Sequence, residues 1–189
     1  MNNTPITLLL DAARHGDDTA TESLFNAVYA ELKLLARSNR RRWHGNQTMN
    51  TTALIHEVFI RLAGSDNKDF ANRTHFFATA SKAMRQVLVN YARKQKASKR
   101  GGDAIVVSLE ETAISTDTSA EELLELHQLL SNLESNNKRR AQVVECRIFG
   151  GMTVEEVAEA LSISTATVKR EWKIGTASLY TKMQKDDAE

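Results

Sequence analysis

The sequence is short of most things that break, cross-link or embed a chain. Its 189 residues include one proline, Pro5, and eight glycines. So few breakers, among many Ala, Leu, Glu, Lys and Arg, favour an all-helical protein. A single cysteine, Cys146, excludes an internal disulfide framework and fits a reducing compartment. No run approaches the roughly 20 apolar residues that a bilayer-crossing helix needs, so no membrane partner is expected. The N-terminus lacks a charged region followed by a cleavable apolar stretch, which leaves a cytoplasmic location as the expectation. Aromatic residues are sparse at 6%, yet a hydrophobic content of 41% is too high for a disordered chain and suffices for one modest core or two small ones. The histidines His15, His44, His56, His75 and His127 are scattered, and none has metal-ligand spacing with Cys146 or a second histidine. Gly101-Gly102 is an isolated pair, not a phosphate-cradling loop. No catalytic residue, metal or cofactor is expected, and the chain does not read as an enzyme.

What the chain does have is segregated charge. The net charge is only +1, but Phe70 to Gly102 holds eight basic residues (Arg73, Lys82, Arg85, Arg93, Lys94, Lys96, Lys99, Arg100) and no acid. Asp103 to Asn137 then holds eight acids and no Lys or Arg, and basic residues return from Lys138. A basic–acidic–mixed layout suggests two polyanion-facing modules with an acidic connector.

Apolar spacing and cap residues divide the chain into helices. The capping box Thr19-x-x-Glu22 opens a helix through Leu24, Phe25, Val28, Leu32 and Leu35, running into Arg40-Arg41-Arg42-Trp43. A second helix begins near Asn50-Thr51-Thr52 and ends before Gly64, with Leu54, Val58, Ile60 and Leu62 among its buried positions. A polar loop follows. A third helix, from about Thr74 to Ala97, carries Phe76, Phe77, Ala80, Met84, Val87, Leu88 and Tyr91. Gly101-Gly102 and the acidic Ser/Thr-rich stretch to about Ser119 read as a linker. The short β-branched run Ile105-Val106-Val107 has no evident strand partner. Ser119-x-x-Glu122 opens a helix through Leu123, Leu126, Leu130 and Leu133, and the next spans roughly Lys138 to Phe149. Cys146, beside Val143, reads as a small core residue.

Near the C-terminus, Thr153-x-x-Glu156 caps a short helix carrying Val157, Ala158 and Leu161. The turn Ser162-Ile163-Ser164 follows, with Ser164 placed to cap a helix through Ala166, Val168 and Trp172. These are the parts of a helix-turn-helix. In that arrangement Ser164, Thr165, Thr167, Lys169, Arg170 and Lys173 offer hydroxyls and cations to phosphates and base edges of a duplex. An ordinary helical hairpin with a solvated charged face is the alternative.

The ordered set of segments resembles the extracytoplasmic-function branch of the sigma-70-type sigma factors, over about Leu8 to Tyr180. Met152 to Arg170 looks like the family's promoter-binding helix-turn-helix. Leu54-Ile-His-Glu-Val-Phe-Ile-Arg-Leu62 resembles its polymerase-docking helix, and Phe76 to Arg93 the helix that faces melted promoter. The resemblance implies an all-α chain of two small helical domains, at 1–100 and 121–189, joined by an acidic linker at 101–120. It implies an alternative sigma factor that binds core RNA polymerase at the clamp of the largest subunit. The N-terminal domain would dock through Leu54, His56, Glu57, Val58 and Arg61 and hold the opened minus-ten element through Asn67, Asn72, Arg73, Lys82, Arg85 and Arg93. The C-terminal domain would read the minus-thirty-five element as duplex, through the six residues from Ser164 to Lys173 named above. Phe76, Phe77 and Tyr91 are stacking platforms or, as helical spacing favours, core. Arg40–Arg42 is phosphate-binding or plain helix C-terminal charge. The linker threads the polymerase cleft or is a soluble spacer.

One departure stands out. The family's docking helix usually opens with Asp and Glu just before the Leu, whereas here Asn50, Thr51, Thr52 and Ala53 precede Leu54, with no carboxylate until Glu57. Phosphorylation of Thr51 or Thr52 by a Ser/Thr protein kinase, Thr51 preferred, would restore about −1.5 to −2 of charge at a helix N-terminus. The same residues are also good N-caps without further purpose. A sigma factor is expected to be a monomer when free. The competing reading is a stand-alone dimeric helix-turn-helix transcription regulator, which binds operator DNA without polymerase.

Overall fold

The computed structural model describes residues 8–9, 12, 15–42, 51–63, 70, 72–100 and 116–186. Among these lie seven main helices and no strand: α1 (Asp18–Arg42), α2 (Thr51–Ala63), α3 (Arg73–Arg100), α4 (Thr116–Asn136), α5 (Lys138–Ile148), α6 (Val154–Ala160) and α7 (Thr165–Asp186). The all-α reading holds. Asn67, Trp43, Gly101-Gly102 and the Ile105–Val107 run lie outside the described residues, as do the side chains of Arg40–Arg42.

Short polar side chains start most of these helices by accepting a backbone N–H that has no intrahelical partner. Asp17 Oδ1 accepts from Ala20 N at 3.0 Å, so Asp17, not the expected Thr19, caps α1. Asn72 Oδ1 accepts from His75 N at 2.8 Å at the head of α3. Asn137 does the same for Arg140 N in α5. The capping box at Thr153 and Glu156 forms in both directions, and Thr167 N donates to Ser164 Oγ at 3.2 Å. At α4 the expectation fails: the helix begins at Thr116, which puts Ser119 inside its first turn.

The helices pack around α3. It contacts α2 on one side and α4, α5 and α6 on the other, while α1 covers α2 and α7 closes against α4, α5 and α6. Buried residues run unbroken from the N-terminal helices into the C-terminal ones: Val28 and Leu32 in α1, Ile55 and Val58 in α2, Met84 and Val87 in α3, Leu130 in α4, Val143 in α5, Val168 in α7. Burying both flanks of α3 demands side chains small enough to let neighbours close in. Ala80, Ser81 and Ala83 supply them, each 7% exposed or less. Ser81 Oγ lies against the position a Cβ on Gly150 would take, so glycine there permits the approach. Asn39 of α1, 2% exposed, donates through Nδ2 to the carbonyl of Phe149 at 2.8 Å and ties the first helix to the end of α5.

In α2 the buried stripe is Leu54, Ile55, Val58 and Leu62. Ile60, expected among them, is 58% exposed, because two residues beyond Val58 on a helix lies the opposite face.

Candidate nucleic-acid and polymerase interfaces

The α6–turn–α7 unit presents the clearest surface. Leu161 ends α6, Ser162 takes a left-handed φ of 52°, and Ile163 N donates back to Ala158 O at 2.9 Å. The chain reverses within four residues and α7 starts under the Ser164 cap. Val168 is fully buried and Leu179 nearly so, which fixes the opposite face outward. Ser164, Thr165, Lys169, Arg170 and Lys173 are exposed; Thr167 is half-buried, its hydroxyl 2.9 Å from Ser164 Oγ. Glu171, 5% exposed, turns inward to Arg140 Nε at 2.8 Å and also meets Arg170 Nη2 at 3.1 Å. The hydrogen bond from Arg140, reinforced by Arg170 against the cost of burial, holds the Glu171 carboxyl below the usual carboxylate range. Arg147 braces the other side of α7 with its guanidinium over Trp172 at 5.4 Å. Thr165, Lys169, Arg170 and Lys173 lie on the outward side of α7, with Ser164 at its cap, and the helix is anchored from behind.

On α2, Leu54 and Val58 belong to the core, while Thr52, His56 and Glu57 are exposed and Thr51 is half-buried. Arg61 Nη1 reaches Gln86 Oε1 of α3 at 3.2 Å. The first turn of α2 carries no acidic residue.

The cations expected to hold a nucleic-acid strand have mixed fates. Arg93 is exposed. Lys82 is half-exposed, with Nζ 3.6 Å from Glu134 Oε1. Arg85 is 4% exposed, with Nε 2.7 Å from Glu145 Oε1 and Nη2 3.6 Å from Glu134 Oε2. Arg73 pairs with Glu31 of α1 and, at 3.1 Å, with Glu156 of α6, and its guanidinium covers the Phe77 ring. Asn72 Nδ2 lies 3.4 Å from Glu159 Oε1. Phe76 and Phe77 are core residues, 3% and 7% exposed, and Tyr91 is half-buried. Sequence reasoning missed the partners Glu145 and Glu156. Nothing in their local sequence marks them, because the pairing spans 60 residues for Arg85 and 83 for Arg73.

Cys146 is 3% exposed, and burial, with Glu145 beside it, pushes its thiol up to about 12. Among the described residues no group of three or more His, Cys, Asp or Glu side chains could hold a metal ion. No helix there is long and apolar enough to cross a membrane.

One end of the chain thus carries an outward cationic helix face on α7, and α2 opens with a first turn free of acidic residues. The chain belongs to the ECF sigma factor family, whose model matches residues 3–185, nearly its whole length. It is therefore an alternative sigma factor of transcription initiation, a non-enzymatic regulator that works with core RNA polymerase and promoter DNA. A search of characterised proteins finds no match.

Proposed function

We propose that the chain works as two modules, 1–100 docking on polymerase and holding the opened minus-ten element, and 121–189 reading the minus-thirty-five element as duplex through a helix-turn-helix. The observation that carries this reading is the division of α7. Thr165, Lys169, Arg170 and Lys173 face solvent together while Val168 and Glu171 are held inside. Such a helix can enter a major groove without disturbing its own packing. The hydroxyl of Ser164 serves the turn and a phosphate alike.

The docking surface on α2 is the ridge of Thr52, His56, Glu57 and Arg61 on the clamp of the largest polymerase subunit, with Leu54 and Val58 holding the ridge in place from beneath. The acid-free first turn supports control by a Ser/Thr kinase at Thr51 or Thr52. A charge-assisted hydrogen bond contributes about 1.5–3 kcal/mol, so two missing carboxylates weaken docking by orders of magnitude until phosphate replaces them. Of the two residues Thr52 is exposed and Thr51 half-buried. The free protein is a monomer.

Run-off transcription with purified core polymerase tests the whole reading. Initiation at a defined start that needs this chain supports it; a footprint on DNA without polymerase, by a dimer, favours the stand-alone regulator instead. Polymerase pull-down by wild type, Thr51→Ala, Thr52→Ala and the two Glu variants tests the kinase. Stronger recovery by a Glu variant is expected, and equal recovery by all five excludes phosphothreonine control.

A further inference from the structure

Glu171 is out of keeping with the stripe it occupies. Val168, Glu171, Gly175 and Leu179 follow one another at helical spacing along the buried side of α7, and of these four Glu171 alone is charged. A buried ion pair adds little stability over an apolar residue of similar volume, so packing does not account for a carboxylate there. Its two oxygens are divided between guanidinium groups in unequal settings. Oε2 accepts from Arg140 Nε at 2.8 Å, and Arg140 reaches it from α5 with 23% of its side chain exposed. Oε1 accepts from Arg170 Nη2 at 3.1 Å, and Arg170 stands on the outward side of α7 with 65% exposed. Gly175 makes room for the first of these contacts. A Cβ there would lie 2.6 Å from Val144 Cγ2 and 3.2 Å from Arg140 Cγ, so glycine lets α5 and the Arg140 stem lie close against α7.

We propose that Glu171 is a positioning residue for promoter reading: anchored from behind by Arg140, it fixes the guanidinium of Arg170 so that the remaining N–H groups meet one base pair in the major groove. The inference rests on the reading of α7 as the helix that enters the minus-thirty-five element. A guanidinium carries five N–H donors, and one bond to Oε1 leaves four. Two of them suffice for the parallel bonds that O6 and N7 of a guanine accept. An unrestrained arginine gives up its rotamer freedom on reaching the groove, whereas one already held by a carboxylate gives up less. The carboxylate also offsets the charge of Arg170 and weakens its pull on phosphates of any sequence. Both effects favour the matching base pair over the others. Lys169 and Lys173, exposed on the same helix and without a planar fork, keep the sequence-independent attraction.

The test uses the full chain with purified core RNA polymerase and a promoter library randomised over the upstream element. Sequencing the initiated templates gives the base preference at each position. Wild type is compared with Arg170→Ala, Glu171→Met, Glu171→Gln and the double variant Arg170→Ala/Glu171→Met. Arg170→Ala should flatten the preference at one position. Glu171→Met should flatten that same position about tenfold, the discrimination that one bidentate contact supplies, and leave the others as in wild type. Glu171→Gln, which keeps a neutral acceptor, should fall between. The double variant should be no flatter than Arg170→Ala, because Glu171 acts through Arg170. Glu171→Met separates positioning from packing, since an apolar side chain suits the stripe yet cannot hold a guanidinium. Wild-type preference in the folded Glu171 variants, an equal loss at every position, a further loss in the double variant, or no position flattened by Arg170→Ala overturns the proposal. So does unfolding of both Glu171 single variants by circular dichroism, which would make the residue structural. A wild type that does not initiate, or initiates with no upstream preference, overturns the reading of α7 and this inference with it. A wild-type preference that the Glu171 variants keep overturns the inference alone.

Discussion

Arg85 and Glu145 form an ion pair at 2.7 Å with 4% and 7% of their surfaces exposed, joining the basic helix α3 to α5. The two partners are unequal. Burial pushes the Glu145 carboxyl above its usual range despite the opposing pull of Arg85, so it can become neutral by taking a proton. Arginine cannot shed one.

That inequality predicts an asymmetric pair of variants. Glu145→Met strands a buried guanidinium and should cost about 3–5 kcal/mol, whereas Arg85→Met should cost less because Glu145 protonates. The double variant should recover most of the loss. Urea unfolding of the three variants checks this, and equal single-variant costs would count against it.

The two ends of α6 should respond in opposite directions. Thr153→Ala removes the acceptor for Glu156 N and should cost about 1 kcal/mol. Ser162 sits at φ 52°, where an L side chain is strained by about 1–2 kcal/mol, so Ser162→Gly should gain part of that back. Thermal melting resolves both, and a lower midpoint for Ser162→Gly would contradict the strain argument.

Acid should destabilise the fold through Glu156 and Glu171. Burial works against the charge of Glu156, but the hydrogen bonds from Thr153 and Arg73 outweigh it and hold the carboxyl low; Arg140 does this for Glu171. Both pKa values are depressed in the folded state. The stability they contribute is therefore present above the ordinary carboxylate range and lost as pH falls through the lowered values. Glu145, shifted upward, acts with the opposite sign: its share declines as pH rises above that range. Melting temperature should hold from about pH 7 to about pH 5 and drop below about pH 4. Glu171→Gln should flatten the drop.

Cys146 should be silent in the native protein. A thiol pushed up to about 12 and 3% exposed offers almost no thiolate, so a disulfide reagent at about pH 8 should react only after unfolding in guanidinium. Rapid reaction of the folded chain would show that the end of α5 opens readily.

Several features were legible in the residue string because they are local. Helical periodicity located the core stripes of α3 and α4, and the caps at Thr153 and Ser164 announced α6 and α7. Cap reasoning failed where two candidates competed. Asp17 precedes Thr19 and takes the end of α1, and α4 extends back to Thr116 because nothing in Asp117-Thr118 stops a helix already packed on α3. Ile60 was misplaced because an apolar residue alone does not say which face it is on, and only the stripe through Ile55 and Val58 does.

By itself, then, the order of residues determined that the chain is helical, the course of most of its helices, the caps of α6 and α7, and that cations and anions sit in separate blocks. All of these follow from interactions within a few residues along the chain. Only the tertiary structure decided that the blocks meet. Whether Arg73 and Arg85 face solvent or face Glu156 and Glu145 depends on which helices pack together, and that is settled by burial summed over many distant side chains, which no short stretch of sequence contains.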